Sequence, residues 1–246
     1  MGSPPLLTER VAAVAQHEEA VPEPAAVHEM RVAARRLRAA LRLLRLREFD
    51  PAAKALQDAL GQVRDLQLEA DWLRGRDAAL ERARRARLRK AERTLARELR
   101  KWRSRTLPAL LARAADGSAP SPRKLSKMLR KRLGRLEERL EKARARLTPM
   151  PLHRARVSVK QVRYLLDVAR DSLPKRVAAL ESDLKTLQAS LGEIHDVDVR
   201  IGLVRGRPAL LRDQREARKR LCKIAAAQLS RWQKQRVVER VKAALR

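Results

Sequence analysis

Hydrophobic residues recur every three or four positions along almost the whole chain of 246 residues. This period of about 3.6 residues is typical of helices with one buried face. The remaining positions are mostly Ala, Arg and Glu, which favour helices. Alternating runs of β-branched residues, which indicate strands, do not occur. The pattern therefore predicts an all-α protein.

Proline, glycine and capping residues divide the first half of the pattern into predicted helices. Thr8 caps a short first helix, which ends before the sequence VPEP. The second helix covers about residues 25–47. A third helix begins at Pro51, with Asp50 as its cap, and ends or kinks at Gly75. A long arginine-rich helix completes this half.

The sequence ADGSAPSP separates the two halves and is typical of a linker, because it combines Gly, Ser and two prolines. Helices are predicted beyond it, each opening on a proline: Pro122, Pro151, Pro174 and Pro208. We therefore expect two units, residues 1–115 and 122–246, joined by a linker at residues 116–121.

The two halves carry the same pair of motifs. HEMRVAARRLR from His28 resembles HRARVSVKQVR from His153, and LQDALGQVRDL from Leu56 resembles LQASLGEIHDV from Leu187. The shared patterns are H-x-x-R-V-x-x-[RK]-x-x-R and L-Q-x-x-L-G-x-x-x-D, in the same order and at similar separation. This indicates an internal duplication. We expect two pseudo-symmetric four-helix bundle subdomains, packed into one domain.

In the first copy, basic residues follow one side of the second helix. Their spacing of three and four residues places them within an arc of about 100°, along about 26 Å of helix. Apolar residues border both edges, which favours a stripe that lines a groove over a fully solvated face. This first stripe comprises His28, Arg31, Arg35, Arg38, Arg42 and Arg45, and Arg36 forms a doubled basic pair with Arg35.

The second copy repeats the design with a second stripe. Its members are His153, Arg156, Lys160, Arg163 and Arg170, and Tyr164 at its edge is also a candidate binding residue. Asp167 and Gln161 stand where the first copy has Arg42 and Arg36, so the doubled basic pair exists only in the first half. We expect the two stripes to line one central groove.

The helix before the second stripe places Arg132 and Arg139 on its apolar face. Arginines in that position either line a charged cavity or have acidic partners, because burying an unpaired charge is costly. We therefore include both among the candidate binding residues.

The second motif adds an aspartate and a glycine in each copy. Asp65 and Asp196 do not attract an anion, so we expect them to orient the arginines; local capping or bridging is the alternative. Gly61 and Gly192 lie within predicted helices, at a cost of about 1 kcal/mol relative to alanine. They predict close approach of neighbouring helices.

Charge narrows the kind of partner. Lys and Arg number 59 against 29 Asp and Glu, which gives a net charge of +30 and a pI near 11.6. An anionic partner is therefore expected: nucleic acid, an anionic membrane, an acidic protein or an inorganic polyanion. Arginine suits phosphate, since its planar fork donates in pairs and stays charged. The motif histidines either add a proton-dependent donor or bond to backbone near the helix start.

Several classes of function lack support in the sequence. Only five aromatic residues are present, too few for the stacking platforms of single-strand binders. There is no glycine-rich phosphate loop, Cys222 is the lone cysteine, and the four histidines lack metal-ligand spacing. We therefore expect no enzyme activity, no cofactor and no metal, although His28, His153 and Asp196 are conceivable as metal ligands. Without a long apolar stretch, we expect a cytoplasmic protein with no membrane partner.

The two copies of both motifs resemble the CHAD family, the conserved histidine α-helical domain, over nearly the whole chain. The resemblance implies two four-helix bundles with internal pseudosymmetry. It also implies non-catalytic binding of long-chain inorganic polyphosphate through the basic helices, often with targeting to polyphosphate granules. Some relatives carry an attached triphosphate-tunnel domain that does chemistry; we expect none in these 246 residues, because the helical repeat occupies them.

The main alternative is a nucleic-acid-binding or chromosome-associated protein. Against it, no helix carries the Asn, Gln and Arg mixture that reads base edges, and a bordered stripe suits a thin flexible chain better than a duplex. An adaptor or scaffold for acidic proteins is a third class. The sequence leaves open the preferred polyphosphate length, the oligomeric state and the process served.

Overall fold

The computed structural model describes residues 6–114, 121–168, 177 and 180–244. Within these ranges every regular element is a helix and none is a strand, which confirms the all-α prediction. The chain divides into two compact units, Met1–Pro120 and Ser121–Arg246. None of the described helices combines the length and apolarity that a membrane span needs.

Some sequence predictions concern residues that the structure does not describe. Linker residues 116–120, the helix opening at Pro174 and the stripe member Arg170 lie outside the described residues.

The first unit is built from successive helices, each packed on the next from α1 to α4. A short 3-10 turn precedes α3, and a π-helical turn, Trp102–Thr106, joins α4 to α5. The helices are α1 (Leu6–Ala15), α2 (Pro24–Leu44), α3 (Asp50–Leu73), α4 (Ala78–Lys101) and α5 (Leu107–Ala114).

The core of this unit orients α2. Met30, Leu37 and Leu41 lie on one side of the helix at helical spacing and are completely buried, as is Leu60 of α3. Burying one such side chain contributes about 1.5–3 kcal/mol. Rotating α2 about its axis would expose this face, so packing of the apolar residues also fixes the direction of the basic ones.

The C-terminus of α2 differs from the prediction. The helix ends at Leu44, and Arg45 has a left-handed backbone with φ of 65°. Leu46 N–H donates to the Leu41 carbonyl at 2.9 Å and Arg45 N–H to that of Arg42 at 3.4 Å, the pattern of a Schellman cap. The predicted extension to residue 47 is therefore wrong, and Arg45 leaves the helical spacing of the first stripe.

The second unit again packs each helix on the next from α6 to α9, and α10 packs on α6. Helices begin at Pro122 and Pro208 as predicted, whereas α7 begins at Pro149 and not at Pro151. The separate α10 was not predicted. The helices are α6 (Pro122–Ala145), α7 (Pro149–Val168), α8 (Leu180–Leu203), α9 (Pro208–Lys234) and α10 (Val237–Ala244).

The core of the second unit is centred on α6. Leu125, Leu129, Leu133 and Leu136 are completely buried at spacings of three and four residues. Val159 and Val162 of α7 are also completely buried, which directs the polar side of α7 away from this core. The internal duplication and the central groove stay predictions.

Candidate anion-binding site

Arg38 of α2 is held by side chains of α3. Its Nε donates to Asp50 Oδ1 at 2.8 Å, its Nη2 to Asp50 Oδ2 at 3.3 Å and its Nη1 to Gln57 Oε1 at 3.1 Å. Arg38 is only 9% exposed. This bidentate pair fixes the guanidinium, so Arg38 joins α2 to α3.

Asp50 was predicted to cap α3, and that prediction is wrong. Asp50 is the first residue of α3 and its side chain faces α2, where Arg42 Nη2 lies 3.4 Å from Oδ2. Burial alone raises the pKa of Asp50, but the hydrogen bond from Arg38 and the charges of Arg42 and Arg38 outweigh it and lower the pKa below 3.8. The carboxylate therefore stays ionised and holds both arginines.

Arg31 lies about two helical turns before Arg38 and contacts a different part of α3. Its Nη1 lies 3.2 Å from Asp65 Oδ1. A Cβ atom added to Gly61 would lie 3.5 Å from Arg31 Nε, so the guanidinium rests over the glycine. The close approach predicted at Gly61 is thus made by a side chain. Asp65 orients an arginine here, while remaining well exposed itself.

The other first-stripe residues differ in exposure. Arg35 and Arg36 are half-buried on α2, and Arg42 is 43% exposed. The His28 side chain is 52% exposed, with Nε2 4.0 Å from Glu29 Oε1. The middle of the stripe is therefore partly desolvated, whereas its two ends face solvent.

The second unit repeats the contact between arginine and glutamine. Arg163 Nη1 donates to Gln188 Oε1 at 2.9 Å. Arg163 and Gln188 occupy the same motif positions as Arg38 and Gln57. Arg163 Nε is buried and has no hydrogen-bond partner among the described residues. This guanidinium is oriented by α8, and part of its donor capacity is unused within the described chain.

His153 of α7 lies beside His195 of α8, with ring centroids 5.1 Å apart and planes inclined at 45°. Burial lowers the pKa of His153 below 6.5, and the positive charges of Arg156 and Lys160 lower it further. His153 is therefore mainly neutral at neutral pH. An anion that offsets those charges would raise its pKa.

Gly192 lies on α8, three residues before His195. No described atom outside its own helical turn and chain neighbours lies within 4 Å of the position a Cβ would take. The close helix approach predicted at Gly192 is therefore wrong. The glycine instead leaves this part of the α8 surface uncovered, next to the histidine pair in the helix.

The remaining second-unit candidates lie along α7 and α8. Arg156, Lys160 and Tyr164 are half-buried on α7, and Asp196 is exposed on α8. Each of them makes at least one polar, ring or electrostatic contact.

Arg132 and Arg139 of α6 both face α7. Arg132 Nη1 donates to Gln161 Oε1, and Arg139 Nη1 donates to Ser158 Oγ at 2.9 Å. Arg139 also lies 3.4 Å from the Arg154 carbonyl. Neutral oxygens of α7 accept these hydrogen bonds of Arg139, and its place in a charged cavity stays a prediction. Both arginines join α6 to α7.

Sequence reasoning missed the contacts of four residues that shape these faces. They are Asp50, Gln57, Gln188 and His195. The two glutamines had a signal, because each is the Q of the repeated L-Q-x-x-L-G motif. His195 had none, since its counterpart in the first copy is Arg64. No group of His, Cys, Asp and Glu among the described residues has the arrangement of a metal site.

Comparison with known proteins identifies the fold and the family. The crystal structure of the CHAD domain from the plant Ricinus communis matches with a TM-score of 0.62 and 23% identity, over 98% of this chain and 89% of that chain. At this identity the likeness concerns the fold alone. No curated protein matches the chain. A family model described as CHAD domain matches residues 5–205. Because that match covers most of the chain, the protein belongs to the CHAD domain family.

Proposed function

We propose that this protein binds long-chain inorganic polyphosphate through the basic faces of α2 and α7. One observation carries the proposal. In each unit an arginine of the basic helix is held by a glutamine of the next helix, Arg38 by Gln57 and Arg163 by Gln188. Four residues after each glutamine stands a glycine, which adds no side chain to that face. The same polar support thus occurs at the same motif positions in both units.

The chemistry of the faces suits a linear phosphate polymer. Arg163, which the neutral Gln188 orients, keeps its full charge and loses little conformational entropy when it binds an anion, whereas Asp50 offsets part of the charge of Arg38. Half-buried guanidinium groups also interact more strongly with phosphate than fully solvated ones. A row along one helix presents donors in a line, which matches a thin chain that carries charge at every repeat.

We also infer that the domain acts by binding and not by catalysis. The inference rests on the CHAD family match over residues 5–205, since this family is not a known catalytic one. Targeting to polyphosphate granules and a cytoplasmic location belong to the same proposal, as consequences of holding the polymer.

The test is a titration of the whole chain with polyphosphate, duplex DNA and heparin at matched charge concentration. We expect the tightest binding to polyphosphate. If about six basic residues engage, log K against log salt should slope at about −4, by analogy with the release of about 0.7 counterion per contact on single strands. A slope near zero, or tighter binding to duplex DNA, would overturn the proposal.

A further inference from the structure

A second basic surface lies on α4, away from both repeated motifs. One side of this helix carries an arc of residues that are all arginine or alanine, and every residue of this arc is exposed. Its residues, which we call the arginine–alanine face, are Ala78, Ala79, Arg82, Ala86, Arg89, Arg93, Ala96, Arg97 and Arg100. Because alanine is short, the arginines stand clear of their surroundings.

These arginines are not neutralised within the described part of the chain. Arg82, Arg89, Arg93 and Arg100 make no hydrogen bond or ion pair there, and Arg97 donates only to Thr94 Oγ1 at 3.3 Å. Other basic residues of α4 are paired. Arg84 lies 3.1 Å from Glu69, Arg85 donates to Glu81 at 2.8 Å and Lys101 to Glu98 at 2.8 Å. These three ion pairs lie beside the arginine–alanine face or at the end of the helix, and none lies within that face.

The arginine–alanine face points away from the core of its own unit. Ala91, Leu95 and Leu99 lie on the opposite side of α4 and are buried in that core. Since α4 packs on α3, its arginines face solvent on a different side from the α2 arginines that contact Asp50 and Asp65. One phosphate segment held along α2 therefore leaves this surface unoccupied.

Composition alone does not explain the surface, because the corresponding helix of the second unit differs. Aligned with Arg82, Ala86, Arg89 and Arg93 of α4 are four residues of α9, namely Arg212, Glu216, Lys219 and Lys223. Lys219 Nζ lies 2.8 Å from Glu216 Oε1, and this hydrogen bond and charge lower the pKa of Glu216. The second unit thus places an acid within the equivalent arc and partly neutralises it.

We propose that the arginine–alanine face binds a second segment of polyphosphate, so that one protein molecule bridges two polymer chains. This rests on the proposed function of the α2 and α7 faces. Arg82 to Arg100 span about 27 Å of helix, long enough for several successive phosphate contacts. Among the described residues only Arg97 has a side-chain partner, so binding here is electrostatic and sensitive to salt. Two separate faces on one molecule make it bivalent, and bivalent binders join long polymers into larger assemblies.

The experiment compares binding with assembly. Wild-type protein and two triple variants are mixed with long-chain polyphosphate, and light scattering is followed as the polymer is added. One variant removes charge from the arginine–alanine face with Arg82→Gln, Arg89→Gln and Arg93→Gln. The control removes equal charge from α9 with Arg212→Gln, Lys219→Gln and Lys223→Gln. In parallel, affinity for tripolyphosphate and for short duplex DNA is measured, and circular dichroism verifies that each variant is folded.

We expect wild type and control to scatter strongly at low polymer ratio and to clear in polymer excess, when each chain holds its own protein molecules. The α4 variant should bind the polymer but lose the scattering. Equal scattering by all three proteins, or equal loss in both variants, would overturn the bridging role. Loss of DNA affinity with unchanged polyphosphate scattering would overturn it in favour of nucleic acid. Failure of wild type to bind polyphosphate at all would instead overturn the proposed function, and this inference with it.

Discussion

The proposed function predicts that location, and not only total charge, decides affinity for polyphosphate. Three variants, each losing two positive charges, test this. Two remove half-buried residues from the basic faces, and the third removes two exposed residues, one on α3 and one directly after it, that are each already paired with an acid. The pairs, all changed to Gln, are Arg31 with Arg35, Arg156 with Lys160, and Lys54 with Arg74.

The magnitude follows from the surroundings of these groups. A hydrogen bond to a charged group contributes about 1.5–3 kcal/mol. Arg31 is 22% exposed and already shares its charge with Asp65, so the lower value applies. Two lost contacts then cost about 3 kcal/mol, or about a hundredfold in Kd. The control pair acts only through the field, which is screened over about 8 Å at physiological salt, and should lose less than about 1 kcal/mol.

Fluorescence anisotropy of end-labelled polyphosphate at physiological salt measures these affinities, and circular dichroism verifies the fold. Tripolyphosphate should be used as well as the long polymer, so that assembly does not distort the binding curves. Comparable losses in three folded variants would refute the reasoning, because they would leave a basic helical protein with no located site. A loss confined to one unit would restrict the site to that unit.

Three further predictions concern stability and pH. Asp50→Asn should lower the free energy of unfolding by about 1.5–3 kcal/mol at pH 7. The difference from wild type should vanish as pH falls below 3.8 through the lowered pKa of folded Asp50, because both proteins then lack the carboxylate. A difference that is unchanged in acid would contradict this. Arg45→Gly should raise the unfolding free energy by about 1 kcal/mol, since glycine adopts positive φ without strain, whereas Arg45→Ala should not. Polyphosphate affinity should rise as pH falls toward and below 6.5, because the bound anion raises the lowered pKa of His153. His153→Gln should abolish that part of the pH dependence. A pH profile that the substitution leaves unaltered would contradict this prediction.

Much of the fold could be predicted because it depends on residues close together in sequence. The apolar spacing of α2, with Met30, Leu37 and Leu41, predicts both the helix and its buried side. Prolines at first-turn positions predict the starts of α6 and α9. The C-terminus of α2 was harder, since a left-handed cap usually carries glycine and here carries Arg45.

The partners of the basic residues could not be predicted, because they depend on how neighbouring helices are rotated and shifted. Asp50 precedes a proline and has the sequence context of a cap, yet its carboxylate holds Arg38 across the helix pair. His153 and His195 stand 42 positions apart in the printed sequence and become neighbours only when α7 packs on α8. A sequence pattern gives the direction of a side chain from its own helix, but not the groups of another helix that meet it.

Some of the basic residues hold neighbouring helices together and are not free to act only as binding residues. Arg38, Arg132 and Arg139 donate across helix interfaces to Asp50, Gln161 and Ser158. Replacing them removes packing and hydrogen bonds together, so a loss of binding in such variants reports on folding as much as on the site.

A purely electrostatic site would not need hydrogen-bond partners that orient its arginines, because mobile arginines on a helix surface also attract a polyanion. Orienting partners matter when several donors in a line bind successive phosphates of one chain. Each donor that is fixed before binding lowers the entropic cost of binding. The same argument separates the two basic surfaces of the first unit. Along α2, Asp50, Gln57 and Asp65 hold the arginines in place, which favours affinity and selectivity. On the arginine–alanine face of α4, only Arg97 has a side-chain partner among the described residues, so contacts of this face with phosphate are individually weaker and exchange faster.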